Sequence, residues 1–138
     1  MNTQINPLLL FSVSRSDKPV SANNANHEMA HRVLQTLGYR FVSGVGVTRQ
    51  WGRERMFLVV LPPRSASEYD ARVASLQDLM QKYDQDAYLY IHEDRHAELA
   101  GASGRKLQDL GVFKEVSKAE AENRGNYTII GDKFYTAS

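Results

Sequence analysis

Apolar residues recur along this chain in short runs, parted by polar, glycine and proline segments, and the period of each run predicts an element. "LLLFSVS" (Leu8–Ser14) is a continuous apolar run closed by turn residues, which suits a buried strand. Met29, Val33, Leu34 and Leu37 recur at helical spacing and predict a helix over roughly Ala25 to Leu37, with Ser21 or Asn23 as its cap and Gly38 as its stop. "YRFVSGVGVT" alternates large and small residues, as a strand whose glycines mark bulges or a close approach by another group. "RMFLVVL" (Arg55–Leu61) is the strongest strand pattern, ended by Pro62 and Pro63.

The second half continues in kind. Ser65–Glu68 reads as a capping box, opening a helix to about Tyr83 that turns Val73, Leu76, Leu79 and Met80 inward. "AYLYIH" (Ala87–His92) predicts a fourth strand, and the polar, glycine-bearing segment 93–106 predicts a mobile loop. "GVFKEV" predicts another strand, and Gly131-Asp132 between two β-rich runs predicts a hairpin turn. The order β-α-β-β-α-β with C-terminal strands predicts an α+β, ferredoxin-like sandwich, one antiparallel sheet with two helices on one face. The 138 residues suit a single domain, 1–138, with residues 1–7 as a flexible N-terminus.

Composition narrows the chemistry. A net charge of +1 lacks the basic excess of a dedicated nucleic-acid binder. The absence of cysteine excludes disulfides and thiolate metal sites. No apolar run approaches the roughly 20 residues of a membrane helix, and "MNTQINP" lacks the features of a signal peptide, so the expectation is a cytoplasmic protein.

Two segments match H-E-x-x-H. "HEMAH" puts His27 and His31 one helical turn apart with Glu28 between, the arrangement of a zinc hydrolase, but a catalytic zinc needs a third protein ligand that the motif does not supply. "HEDRH" (His92–His96) straddles a strand end, where the helical spacing is lost. "GVGV" fails the dinucleotide spacing, and "AGASGRK" reads as a surface loop before it reads as a phosphate cradle. Tyr83, Tyr88 and Tyr90 read as core and rim residues.

The densest polar chemistry lies in "GVGVTRQWGRERM" (Gly44–Met56), where Arg49, Gln50, Trp51, Arg53 and Glu54 cluster at the turn between the second and third strands. A hairpin gathers such residues at one end of a sheet, and function favours loops held on a rigid scaffold. From composition alone, a solvated tip with weak ion pairs explains the cluster as well.

An ordered set of anchors resembles the phage-encoded S-adenosylmethionine (SAM) lyases, also called SAM hydrolases or SAMases. They are "SVSRS" (Ser12–Ser16), a helix ending in "LGY", "DQDAYLYI" (Asp84–Ile91), and the tail "GVFKEVSK…GNYTI". The anchors cover about residues 8 to 130, and the tail is the most specific.

The resemblance implies cleavage of SAM to 5′-methylthioadenosine and homoserine lactone with no metal or other cofactor. It implies homotrimers with the substrate between subunits and depletion of the methyl donor inside an infected bacterial host, while charge and hydropathy lead to the expectation of no nucleic-acid or membrane partner. The host SAM synthetase is the candidate protein partner. The resemblance makes Tyr39 a substrate-positioning residue and Ser14 and Arg15 the polar end of the first strand. Its Arg-Glu pair at the second-to-third strand turn falls on Arg49-Gln50, with Trp51 beside it. Either Gln50 replaces the family carboxylate, which would make this an impaired Glu-to-Gln variant, or Glu54 is the equivalent. The competing readings are a SAM hydrolase giving homoserine, a non-enzymatic ferredoxin-like binding module, and a zinc hydrolase on His27, Glu28 and His31.

Overall fold

The computed structural model describes residues 6–50 and 52–138. It contains, in chain order, β1 (Leu8–Phe11), α1 (Val20–Thr36), β2 (Arg40–Thr48), β3 (Gly52–Val60), α2 (Tyr69–Lys82) and β4 (Ala87–Ile91). There follow β5 (His96–Gly101), β6 (Lys106–Val116), α3 (Lys118–Arg124), β7 (Tyr127–Ile130) and β8 (Lys133–Ala137). Every ladder is antiparallel, and the strands close in the order β1-β3-β2-β7-β8-β6-β5-β4.

The fold is therefore a closed eight-stranded barrel, and the ferredoxin-like sandwich is corrected. The sequence reading reaches as far as β4-β1-β3-β2 with α1 and α2 packed on one face. It misses β5 and the pairings through which β5 to β8 extend this sheet and close it, and closure leaves little free edge. Two further expectations change with it. Segment 93–106, read as a mobile loop, holds β5, which pairs with both β4 and β6. Ser65–Glu68 forms no capping box; turns from Pro63 to Ala66 and from Ala66 to Tyr69 delay α2, and Glu68 stands at its N-cap without a side-chain capping bond.

Two cores result. One lies between the outer face of the strands and the helices, from Leu9, Phe11, Phe57, Val59 and Leu61 to Leu34, Leu76 and Met80, and it takes in Tyr88 and Tyr90. The other is the barrel interior, where Leu8, Leu10, Ile91 and Phe113 meet Met56, Leu58 and Val60. The period-2 alternation of a strand sends odd positions of β3 to the helices and even positions to the interior. Glu54 is an even position.

Local signals account for the ends. Pro19 caps α1, one turn earlier than the pattern predicts, and Gly38 leaves it with φ of +76°. Ser117 caps α3 by accepting from the Glu120 amide, and Gly125 ends it in the left-handed region. β7 and β8 meet at Gly131-Asp132 as predicted. The close approach expected at the β2 glycines is real: a Cβ on Gly44 would stand 2.6 Å from the Ile129 carbonyl oxygen, and one on Gly46 would overlap the Met56 side chain. No helix among the described residues is long and apolar enough to cross a membrane.

Candidate active site

A cleft of about 470 Å³ opens at one end of the barrel, between the start of α1, the segment after β1, and the β2–β3 hairpin. Its wall holds Ser14, Arg15, Lys18, Arg53, Glu54 and Arg55, with Val20 and Val45 as apolar surface. Three residues singled out by sequence, Ser14, Arg15 and Glu54, thus line one cavity although 39 positions separate the first from the last.

The segment after β1 is pinned by a side chain inside the helix. The Arg15 amide donates to Asn23 Oδ1 at 3.0 Å, and Asn23 Nδ2 donates to the Arg15 carbonyl at 2.9 Å. Asn23, expected as a helix cap, instead shapes the cleft from within α1. Arg15 pairs with Asp17 at 2.9 Å and donates to the Asp84 carbonyl at 2.6 Å. Arg55 pairs with Glu28 of α1 at 3.0 Å and holds that carboxyl below its ordinary range. The carboxylates are exposed and the arginines half-buried, so these pairs orient more than they stabilise.

Glu54 is the one carboxylate on the cleft wall. It sits opposite Gly46 in the β2–β3 ladder, and an added Cβ at that glycine would touch the Glu54 side chain at 3.8 Å. Burial pushes the Glu54 carboxyl up, and a hydrogen bond from Ser12 partly offsets it.

The other sequence candidates lie elsewhere. Gln50 is exposed in the hairpin turn, beyond the last ladder pair, Thr48 with Gly52. Arg49 turns away: its guanidinium donates to the Asn123 carbonyl at 2.7 Å and its amide to Asn126 Oδ1 at 3.2 Å, tying the turn to the end of α3. Trp51 lies outside the described residues. Tyr39 immediately precedes β2 at its far end, seven residues before the Gly46 level and so about 23 Å along the strand. Its hydroxyl donates to the Arg72 carbonyl at 2.8 Å, and the Arg72 guanidinium lies 4.5 Å from its ring centre.

The H-E-x-x-H segments are occupied by packing. His27 is fully buried and stacks on Phe57 at 4.0 Å, with Nε2 3.3 Å from Ser43 Oγ and Nδ1 without a partner. His31 packs edge-on to Phe41, and Glu28 is held by Arg55. His92 and His96 contact Glu98 and Asp109 respectively. Among the described residues, no three histidine or acidic side chains are grouped to hold a metal.

Sequence reasoning missed Ser12, Asn23 as a cleft-shaping residue, and Lys18. A polar residue at an interior position of an apolar strand was the signal available for Ser12.

A scan against models of protein families matches residues 9–138 to the S-adenosylmethionine lyase family. A search of curated proteins finds no match.

Proposed function

The chain belongs to the S-adenosylmethionine lyase family, with almost its whole length matched, and from that premise we propose that the cleft around Glu54 cleaves SAM to 5′-methylthioadenosine and L-homoserine lactone. The observation that carries the assignment of the site is the single half-buried carboxylate on the wall of a cleft that Ser14 and Arg15 also line.

The chemistry asks little of the protein. A carboxylate oxygen of the substrate attacks its own γ-carbon, the carbon–sulfur bond breaks, and the electron pair leaves on sulfur as a neutral thioether. No water, metal or general base enters this step. The substrate's carboxylate and sulfonium charges disappear together, so a cleft drier than bulk water favours the reaction. The remaining task is to fold the substrate into its attack conformation.

Glu54 suits that task if it holds the α-ammonium. An anion against the sulfonium would bind the ground state more strongly than the transition state and would slow the step. Against the ammonium, its attraction persists through the reaction and orients the carboxylate toward the γ-carbon. Ser14 and Arg15 border the same space and complete the polar end.

On this reading the family carboxylate is Glu54, and Gln50 is a turn residue with no catalytic part. The change Gln50→Glu is expected to leave methylthioadenosine release unaltered, as followed by chromatography of SAM incubations. A gain of tenfold or more would return the role to position 50.

Two observations support a homotrimer with shared sites. Tyr39 is too far from Glu54 to meet the same substrate within one chain. In addition, β7 pairs with β2 only over Val45–Val47, so the outer edge of Arg40–Ser43 has no strand beside it among the described residues, and Val42 there is exposed. A neighbouring copy at this edge would cover it and could bring Tyr39 to the next subunit's cleft. Sedimentation equilibrium is expected to give three times the chain mass; a monomer at micromolar concentration would contradict this. The biological role that follows is depletion of the methyl donor in an infected bacterial cell.

A further inference from the structure

The buried polar residue that directly follows β1 stands next to the cleft carboxylate. Register along β1 and β3 runs Leu8 with Val60, Leu10 with Leu58 and ends at Phe11 with Phe57; carried one residue further it sets Ser12 against Met56, with Glu54 its diagonal neighbour on the same face. Leu8 and Leu10 precede Ser12 on the interior side, and Ser12 is itself only 4% exposed. A buried hydroxyl at an otherwise apolar position calls for partners.

Both partners are present. The Ser14 amide donates to Ser12 Oγ at 2.9 Å. That bond occupies the oxygen as an acceptor and leaves its proton free to point elsewhere. The proton has the Glu54 carboxylate within reach. The chain Ser14 N–H to Ser12 O–H to Glu54 therefore runs in one direction, and its first donor belongs to a residue that also lines the cleft.

We infer that Ser12 is a positioning residue that holds the Glu54 carboxylate in one orientation toward the cleft and couples it to the backbone at Ser14. The inference rests on the reading of Glu54 given above. Ser12 touches no substrate; it acts through Glu54, as the supporting partner of a working group often does. Burial alone would let the carboxylate swing or take a proton, and a directed hydroxyl opposes both.

The test is Ser12→Ala, with Ser12→Thr as the conservative variant, each followed by kcat/KM against pH and by the carbon-13 titration of the Glu54 carboxyl. Ser12→Ala is expected to lower kcat/KM about tenfold, the scale of one hydrogen bond to a charged group. It should also move both the acid limb of the profile and the Glu54 titration to higher pH, while Ser12→Thr restores most of each. In the Glu54→Gln background, Ser12→Ala should add little, because the group it positions is already neutral. An unmoved Glu54 titration in a folded Ser12→Ala protein would overturn the inference, as would an equal loss in the Glu54→Gln background. A moved titration without any change in rate would leave Ser12 as the partner of Glu54 and would instead defeat the catalytic reading of Glu54.

Discussion

Replacing Glu54 with glutamine is expected to lower kcat/KM for SAM by about 10² to 10³-fold while the protein stays folded. The amide keeps the shape of the side chain and its bond with Ser12, and it removes only the charge. A carboxylate about 4 Å from an ammonium is worth roughly 4 kcal/mol at an effective dielectric near 20. Desolvation of the pair consumes part of this, and each 1.36 kcal/mol is about tenfold in rate. Stability should move the other way. Burial raises the Glu54 carboxyl in the native state, so keeping it ionised at neutral pH opposes folding, and the neutral amide relieves that cost. The informative pattern is a slow enzyme whose thermal midpoint equals or exceeds that of the unaltered chain. Full activity in Glu54→Gln would remove Glu54 from the site.

The second large effect is a loss of stability in acid that traces to His27. This imidazole is fully buried against Phe57, and desolvation, with the nearby Arg55 cation adding to it, lowers it from 6.5 to about 4. Glu28 opposes that shift and His31 reinforces it. In the unfolded chain the ring takes up a proton near 6.5; in the native barrel it does not until about 4. Its contribution is therefore intact above pH 6.5 and is lost as pH falls toward 4, where it amounts to about 2 to 3 kcal/mol. Urea unfolding at pH 7.5 and pH 4.5 measures it. The unaltered chain should lose that much more stability between the two pH values than His27→Leu, whose buried side chain cannot charge. Equal losses in the two proteins would show that His27 is not the titrating group.

His27 also shows where sequence reasoning stops. H-E-x-x-H correctly placed two histidines on one helix, but whether such a ring meets a metal or an aromatic depends on the partner that folding supplies, and here that partner is Phe57, 30 residues on. The strands were legible because alternation is local: Leu8–Phe11, the Arg55–Val60 part of β3, Ala87–Ile91 and the Gly131-Asp132 turn all follow from short-range pattern. β5 was not. Its apolar residues are mostly small alanines, polar His96 and charged Glu98 give it the look of a loop, and its two register shifts leave Leu110 and Leu107 of β6 outside the one-to-one pairing.

Barrel closure depends on β8 meeting β6 and β7 meeting β2, long-range pairings that no local pattern specifies. Sequence left Gln50 and Glu54 side by side for a similar reason. With the third strand read as starting at Arg55, both residues fell in the turn. The ladder in fact runs back to Gly52, which puts Glu54 at an interior position of β3 and leaves Gln50 outside.

The central claim is attack of the substrate's own carboxylate on its γ-carbon, and the isotope content of the first product tests it most directly. In water enriched in oxygen-18, the account predicts that fresh product is homoserine lactone without label. The homoserine that forms later by lactone opening should carry label in its carboxyl group and none in its γ-hydroxyl. Homoserine labelled in the γ-hydroxyl from the first turnover would mean that water attacks the γ-carbon, and would contradict the lyase mechanism.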